Sequence, residues 1–149
     1  MQAVLLEILR QNQVTTHFAL DRVTEENASL KLNEKTASIG FIYRHIGETM
    51  NLFGQFFGIP TDVTNTTIGQ TDSGQGADVE YSRQLISRGF EALQGLVERS
   101  ADEDWLKTVD TPFFGTVTRA RLFAHVLFHN AHHAGQISMT LAKGANNIV

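Results

Sequence analysis

The stretch Thr118-Arg-Ala-Arg-Leu-Phe-Ala-His125-Val-Leu-Phe-His129-Asn-Ala-His132-His133-Ala-Gly-Gln136-Ile137 contains no proline and repeats its apolar residues at helical spacing. Leu122 and Val126 stand one turn apart, and Ile137 and Leu141 continue the same side. The spacing predicts a helix from about Thr118 to Lys143, with Gly144 placed to stop it. Four of the chain's six histidines fall within nine residues of that helix. On a wheel of about 100° per residue, His129 and His133 lie on the flank of the apolar face, while His125 and His132 point further outward. An i,i+4 pair of imidazoles on one face is how a helix offers two ligands to one ion. Two ligands are not a site, so a third must come from elsewhere in the chain.

Outward from this helix, three more stretches show the same periodicity. One runs from about Thr36 to Phe57 through Ile39, Ile42, Ile46, Met50, Phe53 and Phe57. Another covers about Ala77 to Arg99 through Tyr81, Leu85, Phe90, Leu93, Leu96 and Val97. The first, about Gln2 to Glu26, carries the i,i+4 pairs Val4/Ile8 and Val14/Phe18. No stretch alternates over strand length. Gly58 to Gly76 is rich in Thr, Asp, Asn, Gln and Gly, and reads as one long surface connection. Ser100 to Gly115 is a second connection, in which Ala101 to Leu106 can form a short extra helix. The expected fold is all-α: a single four-helix-bundle domain over residues 1–149, with a long crossover between helices two and three.

The second helix holds one histidine, His45, also at the flank of an apolar face. Pairing helices two and four would bring it to His129 and His133. Three neutral imidazoles with open positions make a metal site of catalytic type. Zn²⁺ is the first choice of ion; Ni²⁺, Fe²⁺ and Mn²⁺ also accept imidazole, and spacing does not separate them. His17 stands alone and reads as an ordinary satisfied or solvent-touching side chain.

Composition narrows the remaining classes. The chain has 149 residues, enough to bury roughly 68–70% of its unfolded surface. Ten Phe against one Trp and two Tyr point to an interior filled by rings. With no cysteine there are no disulfides, thiolate ligands or Cys nucleophile. The net charge of −4 arises from interspersed signs, and no Lys/Arg cluster is present to neutralise phosphates, which argues against nucleic acid. The N-terminus carries Glu7 among its apolar residues and lacks a basic leader, so it reads as helix rather than signal peptide. No apolar run reaches membrane-spanning length. The expectation is a soluble cytoplasmic protein.

The fourth-helix run resembles the DinB/YfiT-like superfamily, whose last helix ends in a His-xxx-His-xx-His-His-Arg-Gly-Gln-like signature. Ser38-Ile-Gly-Phe-Ile-Tyr-Arg-His45-Ile-Gly-Glu48 is similar to that family's second-helix segment, where the first metal histidine follows an apolar run. The resemblance extends to the order of elements across the whole chain. It implies a DinB-like bundle, frequently a homodimer, with metal on His45, His129 and His133. One departure is Ala134, which replaces the family's usual Arg; on the wheel it faces the interior. Gln136 falls where it can reach the edge of the site as a hydrogen-bonding neighbour.

Some relatives are similar in fold and use bacillithiol, mycothiol or glutathione in S-transfer or isomerisation. An open metal position suits that chemistry, and equally suits hydrolysis. The expectation is therefore a metal-dependent, thiol-using transferase or hydrolase of a small molecule. A non-enzymatic metal- or ligand-binding dimeric bundle is the alternative, and an interaction protein the third reading. The outward stripe Arg121, Phe128, His132 and Met139 motivates a subunit contact. No general base is evident: Glu48, the nearest carboxylate to His45 in sequence, leans away from the apolar face and reads as a surface or cap-like residue.

Overall fold

The computed structural model describes residues 1–144. Four helices dominate it: α1 (Gln2–Leu20), α2 (Ile39–Gly54), α3 (Val79–Arg99) and α4 (Arg119–Gly144). Short 3₁₀ segments follow α2 at Gln55–Phe57 and α3 at Asp102–Leu106, the second where the short extra helix was expected. Gly144, expected to stop α4, is the last described residue of that helix. α2 packs against both α3 and α4, and α1 closes against α4 and α3. The core residues anticipated on α2, α3 and α4 are buried, with Ile46, Met50, Leu85, Leu122, Val126 and Ile137 fully so, except Tyr81 at the start of α3, which stays exposed with its ring against the Arg44 guanidinium.

Local chemistry sets the helix ends. Ser38 caps α2 by accepting from the Phe41 N–H, and Asp78 caps α3 by accepting from Tyr81. Gly58 takes φ +81° and turns the chain out of the α2 extension. The long connection then runs to Asp78 without helix or strand. Its end lies directly on the start of α2: a Cβ at Gly76 would stand 2.0 Å from the Gly40 backbone. Only glycine allows two backbones to meet there.

Three features differ from the sequence expectation. First, α1 ends at Leu20 rather than near Glu26, and the Asn27 side chain bonds Thr24 N–H and Arg22 C=O in the turn that follows. Second, the Val4/Ile8 and Val14/Phe18 pairs face outward, Phe18 with 74% of its surface exposed. α1 instead buries Leu9, Thr16, Ala19 and Leu20. Third, the connection before α4 holds a small antiparallel hairpin, β1 (Thr108–Thr111) and β2 (Gly115–Thr118), pairing Val109 with Val117. Each strand has four residues and one apolar side chain, too little alternation to read. The hairpin turns at Pro112-Phe113-Phe114, where Thr111 Oγ1 accepts from the Phe114 N–H and Gly115 adopts φ +63°.

Candidate metal centre

His45 is carried mid-way along α2, and His129 and His133 sit one turn apart on α4 where the two helices pack. Each offers a ring nitrogen, and these atoms all lie within 4.8 Å of one another. Ring centroids are 4.8 Å apart for His45–His129 and for His45–His133, and 4.3 Å for His129–His133. All three side chains are half-buried. Among the described residues no other group of His, Cys, Asp or Glu converges in this way.

The second nitrogen of two of these rings has a defined partner. Nδ1 of His45 lies 3.2 Å from the Thr67 hydroxyl, and that hydroxyl lies 2.7 Å from Glu48 Oε2. A carboxylate only accepts, so Thr67 gives its single proton to Glu48 and turns a lone pair toward His45. His45 then donates from Nδ1 and keeps Nε2 as a bare lone pair. Nδ1 of His133 lies 2.7 Å from Gln136 Oε1, which likewise only accepts and leaves the His133 Nε2 unprotonated. Partners of this kind orient metal-binding imidazoles and fix their tautomers.

Burial is the main influence on the protonation of all three rings. It pushes His45 down to about 4, with the neighbouring His133 adding to the effect and Glu48 opposing it. It pushes His129 down to about 2, helped by His133, His45 and His125. His133 is lowered by burial too, and the Gln136 hydrogen bond works against that. All three are thus neutral imidazoles at pH 7, the form that binds a cation.

Glu48 is not a surface residue. It is 1% exposed and accepts from the backbone N–H and hydroxyl of both Thr66 and Thr67. Arg44, itself buried, stands 3.9 Å away and is held by Ser82 and the Asp78 carbonyl. The wheel put Glu48 away from the apolar side correctly, but the long connection covers that side. With this many donors on it, the carboxylate holds the Thr66-Thr67 segment against His45 rather than standing free as a base. Thr67 is the one site residue that sequence reasoning missed, and nothing in the Asn65-Thr66-Thr67 turn marks it as a neighbour of a helix histidine.

The other histidines separate clearly. His125 is half-buried: its ring meets Phe114 at 4.5 Å and Phe53 at 5.8 Å, so the hairpin tip packs on it, one turn before His129. It is a member of an aromatic cluster, not the surface residue that its wheel position suggested. His132 is exposed and lies 3.2 Å from Gln136 Nε2. His17 pairs with Asp21 at 2.7 Å. Ala134 is buried, as its wheel position implied.

The donor set fits a divalent ion. Nε2 of His45 and Nε2 of His129 are 2.9 Å apart, and two lone pairs so placed repel unless a cation or proton lies between them. Nδ1 of His129 is buried, and the neighbouring Asn130 side chain is the one group that favours a proton on that ring.

A family model described as the DinB superfamily matches residues 8–137. The chain belongs to the DinB superfamily. A solved DinB-like protein from Bacillus cereus ATCC 10987 is 20% identical, with a TM-score of 0.71 over 95% of this chain and 91% of that one. A conserved protein from Enterococcus faecalis is 12% identical, with a TM-score of 0.66 over 95% of this chain and 98% of its own. At these identities the likeness is one of fold. None of the curated proteins matches the chain. The matched stretch thus takes in α2 and α3 whole and most of α1 and α4, and includes His45, His129 and His133. Among the described residues no helix is long and apolar enough to cross a membrane.

Proposed function

We propose that this DinB-superfamily chain binds one divalent metal ion through His45, His129 and His133, with Zn²⁺ the first choice and Ni²⁺, Fe²⁺ or Mn²⁺ as the other candidates. The observation that carries this reading is the convergence of three neutral imidazoles from two helices, two of them with Nδ1 turned to an outside acceptor. When bound, such an ion keeps further positions open and lowers the pKa of a thiol or water taken there. The chain's own part is to hold the rings. Glu48 and Thr67 orient His45, Gln136 orients His133, and the Phe53, Phe114 and His125 cluster shields the side of His129. We read the reaction class as thiol-using transfer, or hydrolysis, of a small molecule by a cytoplasmic enzyme. The fold we assign is a four-helix bundle whose long crossover joins α2 to α3.

The test is elemental analysis of purified protein, followed by a thiol-transfer screen of the metal-loaded form with chelation and re-addition. One tightly held equivalent of metal and chelator-reversible turnover are expected. Metal-replete protein that is inert across several thiols and electrophiles favours the second reading, a binding bundle without turnover.

A homodimer has its own support. Phe18 and Phe128 are exposed by 74% and 75%, and Val4, Ile8 and Val14 are also exposed on the outer side of α1. Apolar groups gathered in this way mark a protein contact. We assign this α1/α4 face to a second copy of the chain. Light scattering at micromolar concentration should give twice the 16.5 kDa chain mass, and Phe128→Glu should return it to the monomer.

A further inference from the structure

A cavity of about 340 Å³ opens beside the triad, and His45 and His133 form part of its wall. It lies between the start of α2 and the C-terminal half of α4, on the opposite side from the hairpin aromatics. Its volume falls in the range of small-molecule sites. Leu32, Ala37, Phe41, Ile42 and Met139 supply its apolar lining. No Asp, Glu, Lys or Arg lines it.

Its remaining polar groups are largely committed. Thr140 Oγ1 donates to the Gln136 carbonyl, and Thr36 Oγ1 donates to the Asn33 carbonyl. Gln136 gives its carbonyl oxygen to His133 and one amide proton to His132. Away from the triad itself, an anion entering here finds no cationic side chain and no hydroxyl proton, and only the second Gln136 amide proton, to replace its water. A charged group without such partners is strongly disfavoured, whereas a hydrocarbon body loses nothing on leaving water.

We propose that this cavity is where the triad takes its substrate, and that it selects an uncharged, largely apolar molecule or side group. This rests on the reading of the triad as a metal centre. It adds to that reading the chemical class of the ligand. Met139 stands 62% exposed on α4 where the cavity meets solvent, and Ala37 lines the α2 side. A longer side chain at Ala37 shortens the cavity, and a charge at Met139 changes what it accepts.

The experiment titrates cobalt-loaded protein with mercaptohexanoic acid and with its methyl ester, following the thiolate-to-cobalt absorption. The two differ in charge at the far end of the chain, which is too long to fold back on the ion. The ester should bind roughly tenfold more tightly or better. Met139→Lys should narrow or invert that preference, and Ala37→Phe should weaken ester binding at unchanged cobalt content. Equal affinities for acid and ester in the wild type, or an Ala37→Phe variant with wild-type ester binding, would overturn the proposal. If cobalt is not taken up, the metal reading fails by itself. The cavity is then tested in metal-free protein by NMR with benzyl alcohol and benzoate. Shifts at Ala37, Phe41, Gln136 and Thr140 with the alcohol alone support selection for neutral ligands; shifts with both, or with neither, refute it.

Discussion

Nδ1 of His45 lies 3.2 Å from the hydroxyl of Thr67, a residue 22 positions away in the connection between α2 and α3. That hydroxyl is spent on Glu48, so its contact with His45 sets which nitrogen of the ring is bare. The long connection therefore reaches the histidine triad through one side-chain oxygen.

Thr67→Val should keep the fold and remove that oxygen. Outer partners of metal-bound histidines are typically worth about 10- to 100-fold in metal affinity. We expect a loss of that size in competition titration, with Thr67→Ser restoring most of it. A loss equal in the Val and Ser variants would mean that the residue acts through packing alone. Nitrogen-15 NMR of the His45 ring should also report a protonated Nδ1 in the wild type.

The pH dependence of the metal-free protein follows from the buried imidazoles. His45 is held at about 4 and His129 at about 2, against about 6.5 for an unperturbed ring in the unfolded chain. Below about pH 6.5 the unfolded state therefore binds protons that the native state does not, and native stability falls as pH falls. The loss continues through about pH 4, and each tenfold difference in proton affinity between the two states is worth about 1.4 kcal/mol. Urea denaturation in the presence of chelator should show this slope, and His129→Ala should reduce it. Stability that rises on acidification from neutrality would contradict the burial of these rings.

Much of this was legible in the sequence. Periodicity located α2, α3 and α4 to within a few residues, because their apolar faces meet other helices. The same reasoning failed for the outer side of α1, where Val4, Ile8, Val14 and Phe18 repeat at helical spacing yet face outward. Spacing reports that a face is apolar, not what covers it. Glu48 shows the converse. Nearly every residue of α2 is buried, including Arg44, Glu48 and Asn51, because the connection lies over the side that the helices leave open. A wheel cannot see a polar loop. His125 was misplaced for a similar reason, since the Phe113-Phe114 tip that covers it sits on a hairpin too short to read.

The path of that connection depends on Gly76. Its ideal Cβ would stand 2.0 Å from the Gly40 carbonyl carbon and oxygen, which are backbone atoms at the start of α2 and cannot move aside as a side chain would. Gly76→Ala should cost about 3 kcal/mol or more, at the upper end for overpacking. It should also weaken metal binding by shifting the segment that carries Thr67. Gly69→Ala serves as the control: a Cβ there meets nothing within 4 Å, and only the φ of +72° opposes it. A Gly76→Ala variant as stable as wild type would show that the two backbones are less closely joined than the structure has them.

The clustered histidines give the most discriminating test, because neighbours in sequence have different surroundings. His129→Ala and His133→Ala each remove one of three converging ring nitrogens, and His45→Ala removes the third from 84 positions before His129. Three dispersed ligands act as one site, so each substitution should weaken metal binding by about two orders of magnitude or more. His132→Ala should leave metal content near wild type, since that ring is exposed and meets the triad only through Gln136. His125→Ala should also retain metal, but it opens a gap beneath Phe114 and should lower stability by about 1 kcal/mol. Metal content by mass spectrometry and helicity by circular dichroism, measured on all five variants, separate ligand loss from misfolding. Metal lost in His125→Ala but kept in His133→Ala would move the site one turn toward the hairpin. Metal kept in His45→Ala would reduce it to a pair of histidines on α4 and remove the case for a buried centre between two helices.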